Sequence, residues 1–166
     1  MQPLSRRRFL VAAGAATATA GCLGSGGSRQ GADAIVLDSV AVGASPGGTV
    51  PVRERGRVAL VDFFATWCAP CRPQMATLGA VREAHPDVHL VSITQETDRA
   101  AIRGFWRDYH GAWPALVDPE LRATEAYGVD RIPTLVVLAG DGTEVLRHTG
   151  LASRATIEAG IDEARA

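Results

Sequence analysis

The chain has 166 residues, enough for one domain of ordinary size with a full hydrophobic core. Hydrophobic residues make up 46% and charged residues 21%, which excludes a wholly disordered chain and a membrane protein with several spans. The formal net charge is -1, and acidic residues clearly outnumber basic ones once the three arginines at 6–8 are set aside. Such a mildly acidic body argues against nucleic acid as a partner, since phosphate binding needs a basic face.

The N-terminus has the composition of an export signal. Arginines at 6–8 precede a short, moderately apolar run that ends at Cys22. This run is too short to cross a bilayer, and the order of basic, apolar and small residues is typical of a signal peptide. The arginines followed by Phe9 and Leu10 resemble the twin-arginine signal, and residues 19–22 resemble a lipobox, which implies a lipid on Cys22. A plain signal peptide with a stray thiol is the alternative.

The segment after Cys22 is rich in glycine and serine and cannot bury apolar surface, so we expect a flexible linker. We therefore divide the chain into a lipoprotein signal at 1–22, this linker at 23–33 and one folded domain at 34–166. A linker beside a lipid anchor would let the domain stand off the outer face of the cytoplasmic membrane.

The domain is expected to begin with a β-hairpin. Residues 34–42 are apolar and β-branched, and a turn cluster at 45–48 precedes a second short extended run. Residues 58–64 are apolar except for Asp62, the pattern of a central strand covered on both faces. This pattern predicts a buried Asp62, which costs free energy. A surface Asp62 on an edge strand is the alternative.

Helices and strands alternate after this central strand. The spacing of Met75, Leu78 and Val81 predicts a helix that ends near His85, with a strand following at 88–93. Further predicted elements are a helix from Asp98 to Tyr109, an extended piece at 113–118, a short helix at 119–127, a hairpin at 135–148 and a helix at 153–164 capped by Ser153. The order predicts a mixed sheet with helices on both faces.

Two cysteines directly follow the central strand, within Trp67-Cys68-Ala69-Pro70-Cys71. At the start of a helix the first thiol lies near unpaired N–H groups and the positive end of the helix dipole, which favours the thiolate. Cys68 is therefore the candidate nucleophile that attacks a partner's disulfide, and Cys71, one turn later, resolves the mixed disulfide. Pro70 suits the first helical turn, and Trp67 shields the sulfurs and offers the partner a flat apolar surface.

Other roles for the cysteine pair stay open. A zinc site would need a second Cys or His pair, and the four histidines show no ligand spacing with each other or with the thiols. A copper relay and a purely structural disulfide are also chemically possible. We expect no metal, because a second ligand pair is lacking. We also expect no cofactor, because the aromatic residues that could frame one are expected to line the core and a groove: Phe105, Trp106, Tyr109 and Trp113.

Several spaced motifs resemble the thioredoxin superfamily. The sequence from Trp67 to Cys71 is followed downstream by Gly128-Val129 and by Ile132-Pro133-Thr134. Aromatic and proline residues between 105 and 129 resemble those of the TlpA/ResA branch, which comprises membrane-tethered thiol-disulfide oxidoreductases, often serving cytochrome c maturation. The resemblance covers about residues 34–164. It implies a thioredoxin-like three-layer α/β fold, with an N-terminal hairpin and an extra strand-helix insertion before a cis proline.

The resemblance also assigns residues to the site. It implies that Pro133 is a cis proline packed against the dithiol, with Ile132 before it and the backbone there pairing with the substrate chain. An Ile-Pro bond takes the cis form at modest cost, although an ordinary strand-opening proline is the alternative. Asp62 matches the buried acid of thioredoxin that helps to take the proton of the second thiol.

The residues themselves support this role for Asp62, because a carboxyl inside a strand core should have a raised pKa and could act as a base for Cys71 through water. Thioredoxin pairs its acid with a strand lysine, whereas this chain has no lysine and carries Ser92 or Thr94 in that region. Several relatives carry Glu where this chain has Gln74. Proton handling is therefore expected to rest on Asp62 alone.

Taken together, these features predict a monomeric protein disulfide oxidoreductase. Its expected partners are proteins with thiols or disulfides, a thiol-disulfide electron donor or acceptor that could be a membrane protein, and the membrane itself through Cys22. A redox-inert or metal-carrying module with the same fold is the alternative. Ala69 and Pro70 between the cysteines do not fix the direction of electron flow.

Overall fold

The structure is a computed structural model and describes residues 35–166. The predicted signal at 1–22, including Cys22, and the linker at 23–33 lie outside the described residues. Within the part of the chain that is described, no helix combines the length and the apolar character needed to span a bilayer.

A seven-stranded mixed sheet forms the middle of the domain. Its strands are β1 (Val36–Ser39), β2 (Thr49–Pro51), β3 (Ala59–Phe63), β4 (His89–Thr94), β5 (Ala115–Val117), β6 (Thr134–Leu138) and β7 (Glu144–Thr149). Their order in the sheet is β2-β1-β5-β4-β3-β6-β7. Strands β3, β4 and β5 are parallel, and the other neighbours are antiparallel, so the predicted mixed sheet is confirmed.

Four helices connect or follow these strands: α1 (Cys71–Ala84), α2 (Arg99–Asp108), α3 (Arg122–Ala126) and α4 (Arg154–Arg165). Asp98 caps α2, because its carboxylate accepts hydrogen bonds from the N–H groups of Ala100 and Ala101. The hydroxyl of Ser153 caps α4 by accepting from the N–H of Thr156. Both predicted caps are present, and they satisfy backbone donors that the first helical turn leaves without helical partners.

The N-terminal hairpin is part of the main sheet. β1 pairs with β2 on one side and with β5 on the other, where Asp38 lies opposite Val117. Ser45 strengthens this junction, since its hydroxyl donates to the carbonyl of Val40 and accepts from the N–H of Ala115. The hairpin thus covers the edge of β5 that would otherwise expose unpaired backbone groups.

Strand β3 lies near the centre of the sheet and is buried along its whole length. Leu60 and Phe64 pack into the core that contains the buried residues of α1, α2 and α4, whereas Val61 and Phe63 pack into the core on the α3 side. Successive side chains of a strand point to opposite faces, so Asp62 shares the face of Leu60. The three-layer fold therefore directs Asp62 toward the layer in which α1 carries Cys71.

Candidate active site

Cys68 and Cys71 form a disulfide with an S–S distance of 2.03 Å where α1 begins. Pro70 is the N-cap residue of α1, and its φ of -70° is the value that its ring imposes. Both cysteines are buried, with 4% and 2% of their surface exposed, whereas Trp67 beside them is 70% exposed. The oxidised site therefore exposes an indole ring and buries both cysteines.

The turn that leads to Cys68 is held by Glu96, which the sequence analysis did not single out. The Glu96 carboxylate accepts from the N–H of Thr66 at 2.7 Å and from the Thr66 hydroxyl at 2.6 Å. It also accepts from the hydroxyl of Thr94 at 3.1 Å. These bonds fix the exit of β3 and hence the start of the dithiol motif. A signal was present in the sequence, because polar residues that follow neighbouring parallel strands meet at one sheet edge.

Asp62 is buried in β3, with 2% of its surface exposed, which excludes the edge-strand alternative. Its Oδ2 accepts a hydrogen bond of 2.7 Å from the hydroxyl of Ser92, while Oδ1 has no hydrogen-bond partner among the described residues. Burial raises the pKa of Asp62 to about 7, and the bond from Ser92 opposes that rise. A carboxyl that exchanges its proton near neutral pH has the property that a general base needs.

The peptide bond between Ile132 and Pro133 is cis, as the family resemblance implied. Thr134, which opens β6, pairs with Phe63, which ends β3. The chain leaves β3 at this point and runs directly to Cys68. The pairing therefore brings the cis proline to the same end of the sheet as the dithiol.

An open cavity of about 390 Å³ lies beside Trp67 and Ile132. Phe63, Phe64, Ala65, Ile93 and Val129 contribute its apolar lining, and Gln95, Glu96, Thr124, Asp130 and Arg131 contribute its polar lining. Two of the residues predicted to bind substrate thus share one groove. Pro70 and Pro133 do not line this cavity.

Gln74 connects α1 to the segment before α4. Its Oε1 accepts from the N–H of Ala152 at 2.8 Å, and its Nε2 donates to the carbonyl of the same residue at 3.5 Å. Both ends of the amide are therefore bound to backbone. Gln74 therefore ties the helix that begins at Cys71 to the segment before α4.

Of the four predicted aromatic residues, Phe105, Trp106 and Trp113 are buried in the core and Tyr109 packs against it, whereas none of them lines the cavity beside Trp67. The ring of Phe64 lies 5.5 Å from that of Phe105 and 5.2 Å from that of Trp106, and the rings of Trp106 and Trp113 are 5.5 Å apart. Trp113 has a second role that the sequence analysis missed, because its Nε1–H donates to the hydroxyl of Ser92 at 2.8 Å. Within residues 35–166, no group of three or more His, Cys, Asp or Glu side chains is arranged to hold a metal ion.

The mixed sheet, the dithiol at the start of α1 and the cis proline at the same sheet end define a thioredoxin-like protein. The chain matches the model of the Redoxin family over residues 33–163, which is most of its length. It belongs to the Redoxin family.

Three similar proteins illustrate its place among known sequences and structures. It is 24% identical over 107 residues to the thiol-disulfide oxidoreductase ResA of Halalkalibacterium halodurans, covering 63% of this chain and 61% of that protein. A secreted Mycobacterium tuberculosis disulfide oxidoreductase matches with a TM-score of 0.68 at 21% identity, over 81% of this chain and 98% of that one. The exposed lipoprotein thioredoxin Etrx1 of Streptococcus pneumoniae matches with a TM-score of 0.65 at 22% identity, over 78% of this chain and 98% of that one.

Proposed function

We propose that the chain is a thiol-disulfide oxidoreductase that acts on protein disulfides or thiols through Cys68 and Cys71. One observation carries the proposal: the two cysteines are joined as a disulfide at the start of a helix that follows a buried central strand. A buried acid on the same side of the sheet and a cis proline at the same sheet end support it.

In the reducing direction, the thiolate of Cys68 attacks one sulfur of the partner's disulfide. The partner's S–S bond breaks, a bond forms between Cys68 and the partner, and the partner's other sulfur leaves as a thiolate that takes a proton from solvent. Cys71 then loses its proton to Asp62 and attacks Cys68, which releases the partner's second thiolate. Two electrons pass to the partner, and the enzyme is left with its internal disulfide. Oxidation of a partner dithiol runs through the same steps in reverse.

The groove beside the dithiol supports a protein substrate. Trp67 and Ile132 contribute apolar surface to the cavity, and its polar lining includes Asp130 and Arg131. An extended segment of a partner can lie against this surface while the backbone near Ile132 pairs with it, as the family resemblance implies. Because the resemblance to the TlpA/ResA branch implies a role in cytochrome c maturation, we include the cysteine pair of an apocytochrome c among the proposed substrates. The proposed electron donor or acceptor is a membrane thiol-disulfide protein.

The purified full chain with reduced glutathione as electron donor should reduce a protein disulfide such as that of insulin. Cys68→Ser should abolish the reaction, and Cys71→Ser should accumulate a mixed disulfide between Cys68 and the substrate. Cys22→Ser, the same substitution at the third cysteine, is the matched control and should retain full activity. An active Cys68→Ser protein would refute the proposed function. Stoichiometric binding of copper or zinc by the two thiols without exchange would favour a metal-carrying module.

We also propose that the protein is exported with a twin-arginine-type signal and anchored by lipid on Cys22 to the outer face of the cytoplasmic membrane. The signal-like composition of residues 1–22 supports this, as does the likeness to a lipoprotein thioredoxin. We expect the wild-type chain to sediment with membranes and Cys22→Ser to move to the soluble fraction. Equal membrane association of both proteins would contradict the anchor.

A further inference from the structure

A chain of hydrogen bonds reaches Asp62 from the aromatic core. The indole Nε1–H of Trp113 lies 2.8 Å from the hydroxyl oxygen of Ser92, and that oxygen lies 2.7 Å from Asp62 Oδ2. The strand register explains part of this arrangement. Ser92 of β4 pairs with Asp62 of β3, and it also pairs with Ala115 of β5, which lies two residues after Trp113. All three side chains are buried.

The position of Trp113 is fixed from two further directions. Its carbonyl accepts a hydrogen bond of 3.0 Å from Nε1 of Trp106, and the two indole rings pack edge to face. The next residue, Pro114, accepts through its carbonyl from the N–H of Ser92 at 3.0 Å. The indole N–H therefore approaches Ser92 from a rigid part of the core.

The direction of each hydrogen bond follows from chemistry. An indole N–H is only a donor, so the oxygen of Ser92 must accept from Trp113. The single hydrogen of Ser92 is then directed to Asp62, whose Oδ2 must accept it. If a proton sat on Oδ2, that oxygen would have to donate to Ser92, and the hydroxyl hydrogen of Ser92 would lose its acceptor. Such a loss in a buried site is costly.

We propose that Ser92 and Trp113 are positioning residues for Asp62: they commit Oδ2 to accepting one hydrogen bond and so leave Oδ1 as the oxygen that takes and releases the proton of Cys71. The proposal rests on the proposed oxidoreductase function. It also explains how an acid can be oriented in a chain that has no lysine. The uncharged hydrogen-bond relay from Trp113 through Ser92 orients Asp62 in place of a cationic partner.

Few charged groups compete for this role. The buried residues of α1, α2 and α4 on this face carry no charge, and Cys71 among them is bonded in the disulfide. Titratable groups on the packed elements include Tyr109, at the edge of this core, and His148, which lies on β7 beyond Leu135. His148 is occupied with the carbonyl of Leu151. Buried His89 points to the opposite face, where it contacts the carbonyl of Pro51.

The first test uses the oxidised wild-type protein, in which the thiols do not titrate. In a pH titration followed by carbon-13 NMR, the Asp62 carboxyl should ionise with a single midpoint pH. The indole N–H resonance of Trp113 should shift with the same midpoint pH, because Ser92 links the two groups. The indole resonance of Trp67, which is exposed, serves as the control. A carboxyl titration that leaves the Trp113 resonance unmoved would overturn the relay.

The second test uses Ser92→Ala, Ser92→Thr and Trp113→Phe in the oxidised state. Loss of the hydroxyl removes the bond that stabilises the carboxylate, so Ser92→Ala should raise the Asp62 midpoint by about one pH unit, a tenfold change in proton affinity. Trp113→Phe should raise it by less, since the hydroxyl remains but is no longer oriented. Ser92→Thr keeps a hydroxyl and should restore the wild-type midpoint. Ser45→Ala removes a different buried hydroxyl and should leave the midpoint unchanged.

These measurements separate the two proposals. The carboxyl midpoint is read without any substrate, so it tests the relay even if the chain exchanges no disulfides. In the exchange assay, the pH profile of the Ser92→Ala protein should shift in the same direction as its carboxyl midpoint. Unchanged midpoints in both Ser92→Ala and Trp113→Phe would refute the positioning role. If Ser92→Ala fails to fold, the Trp113→Phe midpoint and the wild-type titration still decide.

Discussion

Asp62 couples the proposed chemistry to the stability of the fold. A carboxyl in a strand core is tolerated most easily when it is neutral, because ionisation without water or a cation is costly. The hydroxyl of Ser92 is its hydrogen-bond partner, and Oδ1 has none among the described residues. The burial that lets Asp62 hold a proton near neutral pH therefore lowers the stability of the folded protein once the carboxyl ionises.

Asp62→Asn should make the protein more stable than wild type at pH 8, with a difference that shrinks toward pH 4. Burial raises the pKa of Asp62 to about 7 in the folded state, well above the unfolded value. The folded protein therefore binds more protons than the unfolded chain between about pH 4 and 7, and the free energy of unfolding falls as pH rises through this interval. The full loss is on the order of 4 kcal/mol. Urea unfolding of the oxidised proteins across this range measures it.

The pH dependence of the difference is the decisive quantity, because the amide of Asn has its own burial cost at every pH. A difference that stays constant from pH 4 to pH 8 would show that Asp62 does not ionise in this range.

The sequence predicted Asp62, the dithiol and the cis proline, and it placed Ser92 or Thr94 in the region of the acid's partner, but it predicted neither the hydrogen bond from Ser92 nor the one from Trp113. Asp62 was visible because it interrupts an apolar run, which is a local pattern. Ser92 and Trp113 are 30 and 51 positions further along the chain, and their contacts depend on strand register and on where an indole ring points. A serine inside a buried strand was a weak signal for Ser92. Nothing in the local sequence singles out the Trp113 N–H.

Two helical glycines, Gly160 and Gly79, lie in different packing environments. Gly160 of α4 lies against β7, and a Cβ atom there would come within 2.7 Å of Leu146 Cδ2 and 2.9 Å of Leu146 Cβ. At Gly79 of α1, no atom beyond its chain neighbours and the local helix backbone lies within 4 Å of the position that a Cβ would occupy. The first glycine permits close packing of helix on sheet, and the second is tolerated without any packing reason.

Gly79→Ala should raise the free energy of unfolding by about 0.5–1 kcal/mol, since alanine loses less backbone entropy in a helix. Gly160→Ala should lower it by about 1–3 kcal/mol, because the added methyl group overpacks the contact with Leu146. The two variants make the same chemical change, so each is the control for the other in chemical unfolding. Stabilisation by both would contradict the close packing of α4 on β7.

Element ends were predictable where a side chain caps a helix or a turn stops a strand. Asp98 and Ser153 begin their helices as expected, and α1 ends at Ala84, one residue before His85. The order of the strands in the sheet was not predictable from such local signals. The contact of β1 with β5 joins segments almost 80 residues apart, and it depends on which edge is free once the parallel strands have assembled.

At the scale of the whole molecule, the sheet is more protected at its centre than at its two edge strands, β2 and β7. Strands β3, β4 and β6 are buried along their entire length, whereas β2 has three residues, includes Pro51 and is partly exposed. The site lies at one end of the protected strands. Asp62 therefore lies in the most deeply buried part of the sheet, and the dithiol follows the end of its strand.

Amide hydrogen exchange should follow this arrangement. We expect the slowest exchange in β3, β4 and β6 and exchange at least 100-fold faster in β2, because local opening at an edge exposes little buried apolar surface. Exchange of the oxidised protein, followed by NMR or mass spectrometry, measures the order. Equal protection of β2 and β3 would mean that the sheet opens only as one cooperative unit.

The three tryptophans also occupy two distinct environments. Trp67 is 70% exposed next to the sulfurs, whereas Trp106 and Trp113 are each 1% exposed. An indole in water emits at longer wavelengths than an indole in an apolar core, and a nearby disulfide quenches emission. The long-wavelength emission thus reports the redox state of the dithiol and any partner that covers the groove, and the short-wavelength emission reports the integrity of the core. The protein carries two intrinsic optical probes, one for its chemistry and one for its fold.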